Sequence, residues 1–130
     1  MDKWIEVKHI MTTDLITADP DETIDAVRHK LIANHIQHIP VVEGKKILGI
    51  ISKGDIHRME HHFTLFQSEK ALESNRQIFS TILAAEIMTK SLVKLKDTDS
   101  ATIAVDLFRE NMFHALPVVN DKDQLVGMIT

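Results

Sequence analysis

Apolar positions follow two different periods along the first part of the chain, and the change of period predicts the order of its elements. Ile24, Val27 and Leu31 recur at intervals of three and four residues, which is typical of the buried face of a helix. The runs Ile39–Val42 and Ile47–Ile51 are short and rich in β-branched residues, as strands are. The polar segment Glu43-Gly44-Lys45-Lys46 between these runs predicts a hairpin turn.

The residues ahead of this helix predict how it begins. Leu15–Ala18 is a short extended run, and Asp19-Pro20 with Glu22 follows it. An acid that caps a helix, a proline at the first helical position and a second acid that bonds back to the cap are typical of a helix start. We therefore expect Asp19 to cap the helix start and Pro20 to be the first helical residue.

The same order of elements recurs 77 residues later along the chain. Residues 10–42 and 87–119 share eight identities, among them Ile-Met-Thr at the start and Pro-Val-Val at the end of both segments. A βαββ unit of this size leaves one sheet face uncovered, so two copies should pack sheet to sheet, with the binding groove between them. The second copy predicts an extended run at Leu92–Leu95, a helix over about Ser100–Met112, and strands at Leu116–Val119 and Leu125–Ile129.

Residues 56–83, between the copies, carry apolar side chains at helical intervals and predict a helix that is interrupted near Ser74-Asn75. Such a segment would expose Phe63, Phe66 and Phe79 unless a second molecule covers them, so we expect a homodimer. The domain bounds that follow are 1–58 for the first repeat, 59–83 for a helical linker and 84–130 for the second repeat, which we expect to be incomplete at its C-terminus.

The ordered set of Ile-Met-Thr, a helix, Pro-Val-Val, a hairpin and Gly-Ile-Ile-Ser, with Gly-Met-Ile-Thr at the last position in the second copy and Ser-x-x-Asp completing the first, resembles the cystathionine-β-synthase (CBS) domain pair, or Bateman module. The resemblance covers nearly the whole chain. It implies an α/β fold in which tandem βαββα-type repeats pack sheet to sheet with pseudo-twofold symmetry. It also implies regulatory binding of AMP, ADP, ATP, S-adenosylmethionine or a dinucleotide, with no required cofactor, in a disk-shaped homodimer.

The sequence Ser52-Lys53-Gly54-Asp55 follows a predicted strand and opens a predicted helix, where backbone N–H groups and the helix dipole favour a phosphate. Asp55 would accept hydrogen bonds from both ribose hydroxyls, and Ser52 would donate to a phosphate oxygen. His38 stands two residues before a proline, where family members often carry an arginine for the phosphate. The resemblance implies a first cleft that joins both repeats, formed by Ser52, Lys53, Asp55, His38, Thr89, Leu92, Val93, Lys94, Phe113 and His114.

The resemblance also implies a second, weaker cleft. Its basic position holds Ala115, and the sequence stops three residues before the acid that would match Asp55. We therefore expect this cleft either to be trimmed or to lack its ribose anchor. Its residues would be Thr12, Ile16, Thr17, Ile36, Gln37 and Thr130.

Three of these features also have a purely structural interpretation. Asp55, with Ser52, has the helix cap as its other interpretation, and a histidine such as His38 beside a buried strand is often structural. His57 and His61 lie one helical turn apart, as a metal pair would, but no third ligand stands at a fixed spacing, so we predict no metal site.

Composition narrows the class of function. The chain has no cysteine and a net charge of -4, which disfavour thiol chemistry and nucleic-acid binding. It has neither a secretory signal nor an apolar run near the roughly 18 residues that cross a membrane, so we expect a cytoplasmic protein without a membrane partner. No nucleophile turn or paired acids indicate an enzyme. Two functions remain open, a small-molecule sensor that signals to a protein partner and a ligand-free dimerisation scaffold.

Overall fold

The chain is a mixed α/β structure with two small sheets in a computed structural model that describes residues 5–63, 77–110 and 113–130. Within these ranges, no helix combines the length and the apolar character that crossing a membrane requires. The elements, in chain order, are a 3₁₀ turn at Val7–His9, α1 Ile24–Ala33, β1 His38–Glu43, β2 Lys46–Ser52, α2 Lys53–Phe63, α3 Ala84–Ile87, β3 Leu95–Lys96, α4 Ala101–Arg109, β4 Leu116–Val119 and β5 Leu125–Ile129.

The first sheet is the hairpin of β1 and β2, and it confirms the predicted turn. Gly44 adopts a φ of 62°, a left-handed conformation that glycine reaches without steric cost. A third segment adds to this sheet in parallel at one residue, Ala18. Its N–H donates to the Pro40 carbonyl (3.0 Å), and its carbonyl accepts from the Val42 N–H (2.8 Å).

The second sheet repeats this arrangement, but the segment that matches Ala18 forms a regular strand, β3. β3 pairs in parallel with β4, and β4 pairs antiparallel with β5. Leu95 lies opposite Val118, and these positions are those of Ala18 and Val41 shifted by 77 residues. The duplication inferred from the sequence is therefore confirmed at the level of strand register.

The expected start of the first helix at Asp19 is wrong. α1 begins at Ile24, because the Thr23 Oγ1 accepts the Ala26 N–H (3.2 Å) and caps the first turn. The Asp19 N–H instead donates to the Glu22 carboxylate (2.9 Å), which closes a turn ahead of the helix. The second copy has the equivalent cap, Ser100, at the start of α4.

The described residues divide into two compact units, each built from separate parts of the chain. The first-repeat unit contains the described residues of Ile16–Glu43 and Leu48–Lys90, and the second-repeat unit contains those of Met1–Leu15, Gly44–Ile47 and Ser91–Thr130. The domain bounds predicted from the sequence, which follow the repeats along the chain, stay a prediction.

In each unit, the segment that precedes the Ile-Met-Thr sequence of one repeat accepts a backbone hydrogen bond from the start of the other repeat's helix. The Ile24 N–H donates to the Ile82 carbonyl (2.8 Å), and 77 residues later the Ala101 N–H donates to the Ile5 carbonyl (2.7 Å). The repeats have thus exchanged equivalent segments with equivalent hydrogen bonds.

Each unit has its own apolar core. In the first-repeat unit, the predicted helix face of Ile24, Val27 and Leu31 is buried, together with Phe79. The expectation that Phe79 is exposed is wrong, because residues 77–79 are helical and Phe79 packs into this core. Phe66, the side chain of Phe63 and the predicted break at Ser74-Asn75 lie outside the described residues. The second core consists of Val7, Leu95, Ala104, Leu116, Val118 and Ile129.

Candidate functional site

The start of α2, formed by Ser52, Lys53, Gly54 and Asp55, is a closed hydrogen-bonded turn. The Asp55 N–H donates to Ser52 Oγ (3.0 Å), and the Ser52 N–H donates back to Asp55 Oδ2 (3.2 Å). These reciprocal bonds form a capping box, which satisfies two backbone donors that the helix itself leaves free. The helix therefore begins at Lys53, three residues before the apolar pattern that predicted it. The residues that the sequence predicted for phosphate and ribose thus form one ordered turn.

A backbone hydrogen bond connects this turn to the loop that precedes β1. The Lys53 N–H donates to the Gln37 carbonyl (2.8 Å), which joins a residue predicted for the first cleft to one predicted for the second. His38 follows as the first residue of β1 and is half-buried. The backbone of this part of the first-repeat unit is consequently ordered around the start of α2.

Arg58, which sequence reasoning did not select, contacts the candidate ribose acid. Its Nη2 forms an ion pair with Asp55 Oδ1, one helical turn away along α2. The Asp55 side chain is 32% exposed and that of Arg58 is 73% exposed. The spacing of three residues between an acid and a base in a predicted helix is the signal that would have identified this pair.

Thr89 lies beside the strand that leads into this turn. Its N–H donates to the Ile50 carbonyl (2.9 Å), and its carbonyl accepts from the Ile50 N–H (3.1 Å). Ile50 precedes Ser52 by two residues in β2. Five of the predicted first-cleft residues belong to the first-repeat unit, namely Ser52, Lys53, Asp55, His38 and Thr89.

The remaining first-cleft residues lie in the second-repeat unit. Lys94 forms an ion pair with Asp123 (Nζ to Oδ1, 3.3 Å), and Val93 is 37% exposed. Phe113 packs partly buried against the core of this unit, and His114 is exposed. Leu92, near the start of the Ser91–Thr130 part of this unit, is half-buried.

The residues predicted for the second cleft also divide between the two units. Thr12 exchanges two backbone hydrogen bonds with Met128 of β5 (2.9 and 3.0 Å), which repeats the pairing of Thr89 with Ile50. Thr130, two residues beyond Met128, is exposed. In the first-repeat unit, Ile16 and Ile36 pack partly buried against the core, and the Thr17 carbonyl accepts from Lys30 Nζ (2.9 Å). Membership of both clefts stays a prediction.

A surface groove of about 430 Å³ lies on the first-repeat unit, where α1 faces α2. Its wall includes an ion pair between Arg28 Nη1 and Glu60 Oε1 (2.6 Å), and Ile32 at its side is 51% exposed. No sequence pattern predicted this groove. It is lined by Arg28, Leu31, Ile32, Gln37, Lys53, Gly54, Ile56, His57 and Glu60.

The histidines of α2 do not come together with further metal ligands in the part of the chain that the structure describes. His57 and His61 are both exposed, and no group of three or more His, Asp or Glu side chains in the described ranges is placed to hold a metal ion.

Comparison with known proteins identifies this duplicated α/β fold. The CBS domain family model matches residues 7–62 and 84–130. The chain therefore belongs to the class of α/β proteins built from tandem repeats. Within that class, it is a member of the CBS domain family.

The similar proteins include an enzyme much longer than this chain and CBS domain pairs of about its own length. Homoserine O-acetyltransferase of Methanocorpusculum labreanum is 30% identical over 95% of this chain, but the chain spans only 22% of that enzyme's length. The CBS-pair protein CBSX2 of Arabidopsis thaliana, solved in complex with AMP, has a TM-score of 0.77 at 22% identity over 96% of this chain and 89% of its own. The CBS domain pair of protein MJ0100, solved with 5′-methylthioadenosine and S-adenosylmethionine, has a TM-score of 0.73 at 27% identity over 97% of this chain and 89% of its own.

Proposed function

We propose that this chain is a regulatory module that binds an adenine nucleotide (AMP, ADP or ATP), or a related adenosyl compound such as S-adenosylmethionine, at the start of α2. The observation that carries the proposal is the turn in which Ser52 and Asp55 hold each other beside Thr89. The dipole of a helix start favours a phosphate, the Ser52 hydroxyl can donate a hydrogen bond to it, and a carboxylate is the natural acceptor for a ribose. The MJ0100 domain pair, which shares the fold at 27% identity, supports an adenosyl ligand.

The module would act through a change of conformation rather than through catalysis. A ligand shifts a protein toward the arrangement to which it binds more tightly. α2 carries both the proposed site at its start and Glu60, which pairs with Arg28 of α1. A shift of α2 on binding would therefore alter its packing against α1, and a protein partner in contact with these helices would sense it. The chain matches only 22% of the acetyltransferase, so we assign it no enzymatic activity.

Titration calorimetry with AMP, ADP, ATP and S-adenosylmethionine, together with thermal melting, tests this function. A ligand at 100 times its dissociation constant should add about 2.7 kcal/mol of stability. Binding of at least one compound supports the proposal. Absence of heat and of a melting shift with all four would reject it.

The alternative function is a scaffold that binds no small molecule. The capping box favours it, because Ser52 and Asp55 are already engaged with each other as a helix start requires. The same titration separates the two functions, since a scaffold would show no nucleotide-dependent stability.

We also propose that the chain forms a homodimer. The exposed Ile32 beside the α1–α2 groove supports this, because an apolar side chain at the rim of a groove is stabilised when another surface covers it. Light scattering should give about twice the mass of 14.8 kDa at micromolar concentration, and a monomer mass would contradict the proposal. The cytoplasm as its compartment, and the absence of nucleic-acid and membrane partners, stay predictions.

A further inference from the structure

The guanidinium of Arg58 lies along the first turn of α2 rather than pointing away from the helix. A Cβ atom built at Gly54 would lie 3.5 Å from Arg58 Nη1 and 3.8 Å from Ser52 Oγ. The Arg58 side chain therefore runs back toward the start of α2, past the position that lacks a side chain. It reaches Asp55 Oδ1 at the place where the capping box is formed.

This ion pair is poorly placed to stabilise the fold. Arg58 is 73% exposed and Asp55 is 32% exposed, and exposed pairs contribute little to stability because water screens the charges. Its clearest physical effect is on the carboxylate, whose two oxygens are each held by a different donor. Oδ2 accepts the Ser52 N–H, and Oδ1 accepts from Arg58.

The remaining acceptor capacity of Asp55 matches a diol. A carboxylate offers about four lone-pair positions, two on each oxygen. Among the described residues, the Ser52 N–H and Arg58 occupy one position on each oxygen, which leaves one position on each for a ligand. Two adjacent hydroxyls of a ribose could therefore donate to Asp55 while the capping box stays intact. Capping and ribose binding are thus compatible roles of the same side chain.

We propose that Arg58 is a positioning residue for ribose recognition, which fixes the plane of the Asp55 carboxylate so that its free lone pairs face a ligand diol. This proposal rests on the proposed function, because it assumes that Asp55 contacts the ribose. Arg58 itself acts through Asp55. Its effect should consequently appear only with ligands that carry the diol.

The test compares AMP with 2′,3′-dideoxy-AMP in the wild-type chain and in Arg58→Gln, by calorimetry. We expect Arg58→Gln to weaken AMP binding by about fivefold to tenfold, as the loss of order around a charged hydrogen-bond acceptor should, and to leave dideoxy-AMP unchanged. The ratio of the AMP affinity to the dideoxy-AMP affinity should therefore be smaller in Arg58→Gln than in the wild type. Arg58→Lys keeps the charge but lacks the planar fork of donors, so its AMP affinity should lie between those of the wild type and Arg58→Gln. Arg109→Gln, which changes an exposed arginine of α4, is the matched control and should leave both affinities unchanged.

The possible outcomes separate this inference from the proposed function. If the wild type binds AMP and the preference for AMP over dideoxy-AMP is the same in Arg58→Gln, the positioning role is wrong and the proposed function stands. Tighter AMP binding by Arg58→Gln would also reject it, since Arg58 would then compete with the ligand. If the wild type binds no adenosyl compound, both proposals are wrong. Melting of the ligand-free variants should be nearly unchanged, and a large loss of stability in Arg58→Gln would instead assign Arg58 to the fold.

Discussion

The Met88 side chain lies against Gly49, so closely that a Cβ atom at position 49 would come within 2.6 Å of Met88 Cγ and 2.9 Å of Met88 Cβ. The second-repeat unit repeats the contact between Met11 and Gly127, where an added Cβ would lie 2.7 Å from Met11 Cγ and 3.1 Å from the Thr12 carbonyl oxygen. The methionine of each Ile-Met-Thr sequence thus packs on the strand glycine of the other repeat. This contact requires that the strand residue has no side chain.

Gly49→Ala should destabilise the protein by about 1–3 kcal/mol, because the added methyl group overlaps the Met88 side chain near its backbone, where it has little freedom to move. Chemical denaturation measures the change. Gly54→Ala is the matched control, since its Cβ would meet its neighbours at ordinary distances of 3.5 and 3.8 Å. Equal stability of the Gly49→Ala and Gly54→Ala variants would contradict the close packing.

Lys30→Met should loosen the segment that leads to Ala18. Lys30 Nζ donates to the Thr17 carbonyl (2.9 Å) and pairs with Glu22 Oε1 (2.6 Å), whereas the matching position of the second copy is Leu107. Loss of these bonds should cost about 0.5–1.5 kcal/mol and speed amide exchange in residues 16–18. Lys46→Met, at an exposed position of β2, should change neither quantity. Unaltered exchange in Lys30→Met would show that Lys30 does not order this segment.

Asp55→Asn should weaken AMP binding about tenfold or more while ligand-free stability changes by only about 0.5 kcal/mol. Asparagine still accepts the Ser52 N–H and caps well, but it loses the charge and one acceptor oxygen. Calorimetry and melting give the two quantities on the same sample. Asp55→Ala provides the comparison, because it should lose both affinity and about 0.5–2 kcal/mol of stability. An Asn variant that binds AMP as the wild type does would remove Asp55 from the site.

Ile32→Glu should convert the proposed homodimer to a monomer, since it places a charge at the rim of the α1–α2 groove. Light scattering over a range of concentrations measures the mass. Ile103→Glu, at a 43% exposed position of α4, tests whether any exposed isoleucine has the same effect. A dimer that persists in Ile32→Glu would exclude this surface as the interface.

Much of the local structure was predictable because short-range interactions determine it. The hairpin around Gly44 and the buried face of α1 follow from patterns within a few residues of one another, and the 77-residue offset follows from the recurrence of such patterns along the chain. Of the candidate site, the sequence identified Ser52 and Asp55 as partners at a helix start. Arg58 could not be singled out from the sequence, because an acid and a base three residues apart are common on exposed helix faces and carry no sign of a ligand.

The start of α1 shows where local reasoning failed. Asp19 and Thr23 both have side chains that can cap a helix, so capping chemistry alone does not choose between them. The choice depends on a distant segment. Thr23 pairs with Leu83, and the Ile24 N–H donates to the Ile82 carbonyl, which holds the backbone extended at Thr23 and so starts the helix after it.

The sequence by itself determined the elements of this protein, their duplication and the residues at the start of α2, since each depends on side chains that are neighbours along the chain. Only the tertiary structure decided which segments share a core. The stretches around Met11 and Met88 each pack with the strands of the other repeat, through backbone hydrogen bonds and through contacts with Gly127 and Gly49. The two repeats are similar enough to offer each stretch equivalent partners. The free energy of long-range packing, which no local pattern contains, therefore determines the pairing.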